Sequence, residues 1–393
     1  MHNRSAARSW DALGRLLAVV ALVSLVWTGC SQILEDPPTA PGANEQTTQK
    51  ADPTQLLGSQ NPRIQHVMAV QDRHTPQLMG IDRVVGTATS VDEEGTPVIK
   101  VYTAEQLAPG RVPRELDGVR VVQQVSGRLV AKKGPPPMDG GGGGDDPRAK
   151  QTPPVKMGTS GGWRYDLANG YCCGGTLGSL IQIGGTKYVL SNYHVLYADI
   201  VSGGNNRTAQ AGDPVIQPGL IDVGCNASNA QNVATLVNNG GSLPNSNIDA
   251  GIAQVIPGMV DESGAILSIG TISSSTVGAS VGQKVKKMGR TTGLGRGTVD
   301  GLNATVSIGY ENECAGGSAF TKTFTGQIII TNNRCRFLDG GDSGSLMVED
   351  VDTNPRAVGL LYAGSVRCIK TAVAVANPIG DVLSRYNATM VGN

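Results

Sequence analysis

Gly340-Gly341-Asp342-Ser343-Gly344-Ser345-Leu346 is the stretch on which the reading turns. Glycines on both sides of a serine let the backbone fold tightly and turn two N–H groups toward one point. They also leave Ser343 Oγ uncrowded. A nucleophile beside an oxyanion site needs both properties, although such a turn taken alone also suits a plain hairpin. Working outward, Asn247-Ile248-Asp249-Ala250-Gly251-Ile252-Ala253 places an acid at the start of an apolar strand. A carboxylate there is well set to fix an imidazole, and Asp222 is the alternative acid in the same interval. The chain has four histidines, and only His194 lies near these elements. It follows the strand-like run Tyr188–Ser191 directly. His66 and His74 read as surface helix residues, because no cysteine or third histidine joins them.

His194, Asp249 and Ser343 follow one another at intervals of 55 and 94 residues. With this order and spacing, and with Gly341-Asp342-Ser343-Gly344, residues 171–388 resemble the chymotrypsin-like (trypsin-like) serine peptidase family. Leu360-Leu361-Tyr362-Ala363-Gly364-Ser365 and Lys287-Met288-Gly289-Arg290-Thr291-Thr292-Gly293 are similar to segments of its bacterial branch. The resemblance implies an all-β double β-barrel of the chymotrypsin type. It implies a Ser343 nucleophile, His194 as general base and then acid, and Asp249 as the group orienting His194. The backbone N–H groups of Gly341 and Ser343 would hold the oxyanion, and Phe337, Tyr362, Ala363 and Gly364 would line the substrate pocket. The implied function is an exported serine endopeptidase acting through an acyl-enzyme on protein or peptide substrates, with no metal and no organic cofactor. A catalytically silent peptidase-like binding protein and an esterase are the rival readings.

The departures are specific. No Ile-Val-Gly-Gly-like start lies near residue 155, so Asp342 has another partner or faces solvent. His194 lacks an Ala-Ala-His-Cys setting. Phe337 stands six residues before Ser343, where a carboxylate would receive a basic side chain, so cleavage after Arg or Lys is not supported. Arg334 and Arg336 lie close by in sequence and leave an acidic preference open.

Composition agrees with a β-rich exported chain. Among 393 residues are 54 Gly and 21 Pro, and aromatics make up only 4 %, which leans toward short strands and turns. The 32 basic and 32 acidic residues balance, which argues against a nucleic-acid-coating protein. Strand-like runs recur at the spacing of an all-β barrel or sandwich: Leu177–Ile183, Tyr188–Ser191, Ile248–Ile256, Val299–Ile308, Phe324–Thr331, Leu346–Val348, Val358–Tyr362 and Ala372–Ala376. Gly184-Gly185 marks a hairpin. Asn377-Pro378 opens a short C-terminal helix, Ile379 to Tyr386.

The N-terminal part divides differently. Residues 1–29 carry Arg4, Arg8 and Arg15 and then a short apolar run, the pattern of a secretory signal rather than a membrane span. Trp27-Thr28-Gly29-Cys30 resembles a bacterial lipobox, with Cys30 acylated and Trp27 in place of the usual Leu. That predicts a cell-envelope lipoprotein held on a membrane, or a secreted protein. Residues 30–60 read as a disordered tether. Residues 61–133 read as a small α/β domain: a helix from Asn61-Pro62 that Thr75-Pro76 restarts, strands Val84–Val91 and Pro97–Tyr102, a short helix over Ala104–Ala108 and a strand Val119–Val125. Its role is open between inhibitor, docking module and folding aid, with docking or regulation favoured. Residues 134–154, with Gly140–Gly144, read as a linker before a peptidase domain at 155–393. Beyond Cys30, the six cysteines Cys172, Cys173, Cys225, Cys314, Cys335 and Cys368 suit disulfides in an exported chain. Their pairing is open, although adjacent Cys172 and Cys173 are expected to bond elsewhere. A zinc site is the weaker alternative.

Overall fold

The computed structural model describes residues 57–131, 145–168, 171–197, 209–310 and 320–393. The signal, Cys30, the tether up to residue 56, Gly140–Gly144 and Cys314 lie outside them.

The first barrel uses β5 (Thr159–Trp163), β6 (Gly175–Leu177), β7 (Ser179–Ile183), β8 (Thr186–Ser191), β9 (Pro214–Gln217), β10 (Gln231–Gly241) and β11 (Gly251–Val255). The order is β6-β5-β9-β10-β11-β8-β7. β6 and β7 are one run of chain interrupted at Gly178, so the same run pairs with β5 at one end and β8 at the other, closing the barrel. A Cβ on Gly178 would collide with the carbonyl of Gly344, so glycine is required where this barrel meets the serine turn. Gly184 and Gly185, at φ 54° and 84°, give the left-handed turn between β7 and β8. Buried Leu180, Val189, Leu190, Val215, Val233, Leu236 and Ile252, drawn from both faces of its strands, belong to one hydrophobic core.

The second barrel uses β12 (Lys284–Gly289), β13 (Gly293–Tyr310), β14 (Phe320–Thr331), β15 (Leu346–Glu349), β16 (Ala357–Ser365) and β17 (Val373–Pro378). They run in the order β12-β15-β16-β17-β14-β13, and β13 returns to pair with β12, which closes it. Every strand of both barrels is antiparallel to its barrel neighbours, and the helix α3 (Ile379–Tyr386) ends the chain's last turn against them. This is the expected double β-barrel of the chymotrypsin type with a short C-terminal helix.

Of the segment 61–133, the described residues 61–131 do not stand apart as a body of their own. Asn61 caps α1 (Pro62–Met79) by accepting from Arg63 N at 3.0 Å, and Pro62 sits where its missing N–H costs nothing. The helix runs through Pro76 without a restart. β1 (Val84–Val91), β2 (Pro97–Thr103) and β3 (Val119–Val125) form as expected. Ala104–Ala108 is not helical: the Ala104 N–H donates to Arg83 O at 2.8 Å, so the backbone follows the sheet. β1 then pairs with β13, Gly86 opposite Val306 and Thr89 opposite Leu302, which merges these strands with the second barrel's sheet. Buried Gln71 of α1 donates to Asn303 O of β13 at 2.8 Å and accepts from Thr89 Oγ1 of β1 at 2.7 Å, pinning the helix to both paired strands. The residues expected as a separate domain thus share one eleven-stranded sheet with the second barrel.

Strands β5, β9, β10 and β12 form where the sequence reading placed none, and so does a further short one. β4 (Leu129–Ala131) lies between β13 and β16, parallel to the first (Tyr310 opposite Ala131) and antiparallel to the second (Gly364 opposite Val130). All three of its residues are buried, and Val366 N extends the ladder to Arg128 O at 2.9 Å. No helix among the described residues is long and apolar enough to cross a membrane.

Candidate active site

β8 ends at Ser191, and α2 (Tyr193–Leu196) is the single turn that follows. It carries His194 into the space between the barrels, where only 1 % of the residue is exposed. Asp249 sits just before β11, fully buried, and its Oδ2 lies 2.6 Å from His194 Nδ1. Its Oδ1 accepts the N–H of Tyr193 at 2.8 Å and of His194 at 3.4 Å. Its backbone is clamped as well: Asn192 Nδ2 donates to Asp249 O at 2.7 Å, and Asp249 N donates to Asn377 Oδ1 at 3.1 Å. A carboxylate on Nδ1 favours the tautomer that leaves a lone pair on Nε2. His194 Nε2 is buried and has no hydrogen-bond partner. Asp222, the alternative acid, is elsewhere: Arg290 holds it at 2.6 Å and Ser160 at 2.5 Å.

Ser343 lies in the turn before β15, between Gly341 at φ 95° and Gly344 at φ 93°. These are backbone conformations that side chains resist. The turn is tied to the first barrel by Thr176, whose N–H donates to Ser343 O at 2.9 Å and whose hydroxyl donates to Gly341 O at 2.9 Å. Gly175 abuts both Ser343 O and Val195, next to His194, so the nucleophile candidate and the α2 turn meet at one spot. The Ser343 hydroxyl donates to Tyr362 O at 3.2 Å.

A trans peptide puts its N–H opposite its own carbonyl. The carbonyl of Gly340 accepts from Thr291 Oγ1 at 2.5 Å, and that of Asp342 accepts from Ser345 Oγ at 2.6 Å. Anchoring these two carbonyls turns the N–H groups of Gly341 and Ser343 away from those anchors. The side chain of Asp342 has the internal partner that the sequence left open. Lys287 Nζ is 3.2 Å from it, both groups fully buried, and Thr291 N, Thr292 N, Thr292 Oγ1 and Asp339 N also donate to it. Burial pushes the Lys287 ammonium below the ordinary lysine range, and the charge of Asp342 opposes that shift.

A shallow depression with no room for a water molecule borders Ser343 and is lined by Val130, Leu338, Asp339, Gly364 and Ser365. Of the expected lining residues only Gly364 is there. Phe337 turns into the second barrel's core, its ring against Gly297. Tyr362 and Ala363 belong to the core as well, with the Tyr362 ring 5.1 Å from that of Phe324. Arg334 and Arg336 do not line the pocket. Val130, Leu338 and Asp339 carried no sequence signal for this role. Tyr310, whose hydroxyl donates to Asp249 Oδ2 at 2.8 Å, was also missed.

Cys172 pairs with Cys225 and Cys335 with Cys368, and Cys173 is disulfide-bonded too. Cys335, Asp339 and Cys368 cluster closely enough to suggest metal ligands, but the two sulfurs are spent in their disulfide.

Comparison with known proteins bears on this geometry. The profile of the Nal1 C-terminal domain matches residues 225–378. Streptogrisin-A of Streptomyces griseus is 34 % identical over 113 residues, which are 29 % of this chain and 32 % of that protein. The chain thus spans about a third of the length of that curated relative. Solved structures with similarity include a glutamic acid specific serine protease with a histidine triad in substrate binding (21 % identity, TM-score 0.40, covering 60 % of this chain and 100 % of that one). Protease A of Thermobifida fusca is another (18 % identity, TM-score 0.37, covering 61 % and 99 %).

Proposed function

We propose that this chain is an exported serine endopeptidase in which Ser343 attacks the peptide carbonyl, His194 moves the proton and Asp249 orients His194. The observation that carries the reading is the buried 2.6 Å contact between His194 Nδ1 and Asp249 Oδ2, which leaves Nε2 unpartnered, while Gly175 abuts both Ser343 O and Val195 beside His194. In the reaction, the Ser343 hydroxyl turns from Tyr362 O toward Nε2, which accepts its proton as Oγ bonds to the carbonyl carbon. The N–H groups of Gly341 and Ser343 receive the oxyanion, an effect of about 3 kcal/mol for each donor. The imidazolium, stabilised by Asp249, returns the proton to the leaving amine. Water then repeats the sequence on the ester and releases the acid. Lys287 supplies the buried cation for Asp342, so the turn needs no new chain end to complete it.

Residues 61–133 regulate access in this reading. An extended peptide substrate adds to a sheet edge and is gripped by its backbone. β4 already occupies the edge of β16 next to Ser343, with Val130 on the pocket wall. The chain therefore carries its own occupant of the groove, and release of β4 admits substrate. Cys30 lipidation would hold the enzyme at the cell envelope.

The silent-binding reading has one observation in its favour: the Ser343 hydroxyl faces Tyr362 O. A fluorophosphonate separates the two, because it forms an adduct only with an activated serine. Hydrolysis of a peptide panel by the full chain, absent in Ser343→Ala, supports the endopeptidase. Hydrolysis of esters alone would favour the esterase.

A further inference from the structure

Asp249 Oδ2 accepts two hydrogen bonds, and only one comes from His194. The second comes from the hydroxyl of Tyr310, at 2.8 Å. Tyr310 ends β13 and belongs to the second barrel, whereas His194 and both N–H donors to Oδ1 belong to the first. Its side chain is 1 % exposed, its ring edge-on to that of His194 with centroids 6.0 Å apart. The plain explanation is a core tyrosine whose hydroxyl found a nearby acceptor, since buried phenols need one. Tyr102 is such a case in the same core: its hydroxyl donates to Asp300 at 3.1 Å, remote from His194.

Tyr310 differs in the oxygen it chooses. Its partner is the same Oδ2 that receives Nδ1. Two donors on one carboxylate oxygen fix the rotation of the carboxylate about its own axis. The direction and strength of the Nδ1 bond then depend on where the phenol stands. Its backbone stands opposite Ala131 of β4, so the strand beside Ser343 also braces the strand end that carries the hydroxyl.

We infer that Tyr310 is a positioning residue for Asp249, supplied across the barrel interface, which sets the geometry of the Asp249–His194 hydrogen bond. Its effect on rate rests on the peptidase reading; its effect on the hydrogen bond does not. The side chain is buried and is not among the residues lining the depression beside Ser343, so it is expected to act on turnover and leave substrate affinity alone.

The test uses the full chain and the low-field proton resonance of His194 Nδ1–H, identified by its loss in Asp249→Asn. Tyr310→Phe keeps the ring and removes the hydroxyl. The resonance is expected to move, and kcat on a peptide substrate to fall about 10- to 100-fold at unchanged KM, the size of one hydrogen bond to a charged group. Tyr102→Phe removes a buried Tyr–Asp bond of the same kind and should leave both readouts alone. A resonance unmoved in Tyr310→Phe, or moved equally in Tyr102→Phe, overturns the proposal. So does an unchanged kcat in Tyr310→Phe when the parent chain turns over. If neither the parent chain nor Leu129→Asp hydrolyses a peptide, the peptidase reading fails, and the resonance still decides the role of Tyr310. Should Tyr310→Phe fail to fold, Tyr310→Trp, which moves its donor off Oδ2 while filling the site, is read by the same resonance and must also shift it.

Discussion

The two halves of the candidate site are in different states. On the acid–base side, every polar atom of Asp249 is engaged, and His194 presents a bare Nε2. On the nucleophile side, the Ser343 hydroxyl rests on a backbone carbonyl, and the chain's own strand fills the edge beside it. The contrast separates building a catalytic unit from opening it. The first depends on buried, local hydrogen bonds within and between the barrels. The second depends on a three-residue strand whose Leu129 and Ala131 pack into the second barrel's core, so its release takes packing from that core.

The largest effect tests whether the halves act as one unit. Ser343→Ala and His194→Ala should each remove about 10⁶-fold of kcat, and the double variant little more, because residues of one unit are not additive. Steady-state turnover on a peptide measures this, and additive losses would split the unit. Asp249→Asn should fold normally and lose about 10⁴-fold, since the tautomer of His194 is no longer fixed. A mild Asp249→Asn beside a crippling Asp222→Asn would move the acid to Asp222.

The next effect concerns the occupied edge. Leu129→Asp places a charge where 2 % exposure leaves no water, so β4 should leave the groove. Turnover should rise about tenfold or more if the open form is the minor one. A rate unchanged or lowered would mean that β4 does not gate the site.

These regions also differ in how far the sequence revealed them. The serine turn was legible because positive φ at Gly341 and Gly344 restricts residue type, so geometry leaves a mark in the letters. The hairpin at Gly184-Gly185, the cap at Asn61-Pro62 and the C-terminal helix were readable for similar local reasons. His194 and Asp249 were readable through order and spacing. β4 was not, because three residues carry no period and its partners lie more than 170 positions away. For the same reason residues 61–133 looked separable: β1 has the pattern of any half-buried strand, and nothing in it announces pairing with β13. Tyr310 reads as one more core aromatic at a strand end. Phe337 was placed in the pocket by counting back from Ser343, but the chain turns at Asn332, whose side chain binds the N–H groups of Phe337 and Leu338 at 3.0 Å, and the ring enters the core.

Two smaller effects sharpen the nucleophile side. Lys287→Met leaves Asp342 buried without its cation. Chemical denaturation should show a loss of about 3–5 kcal/mol, as when one partner of a buried pair is removed. A loss under about 1 kcal/mol would mean the four other donors to Asp342 suffice. Phe337→Leu should change KM and kcat by less than about twofold while costing about 1 kcal/mol of stability, a core effect. A changed side-chain preference in that variant would return Phe337 to the pocket.

The central claim is that Ser343 is a nucleophile activated by His194, and intact mass after incubation with a fluorophosphonate tests it most directly. The full chain should gain one adduct that maps to Ser343, faster in Leu129→Asp and absent in Ser343→Ala and His194→Ala. No adduct even in Leu129→Asp, or an adduct that persists in Ser343→Ala, would contradict the account.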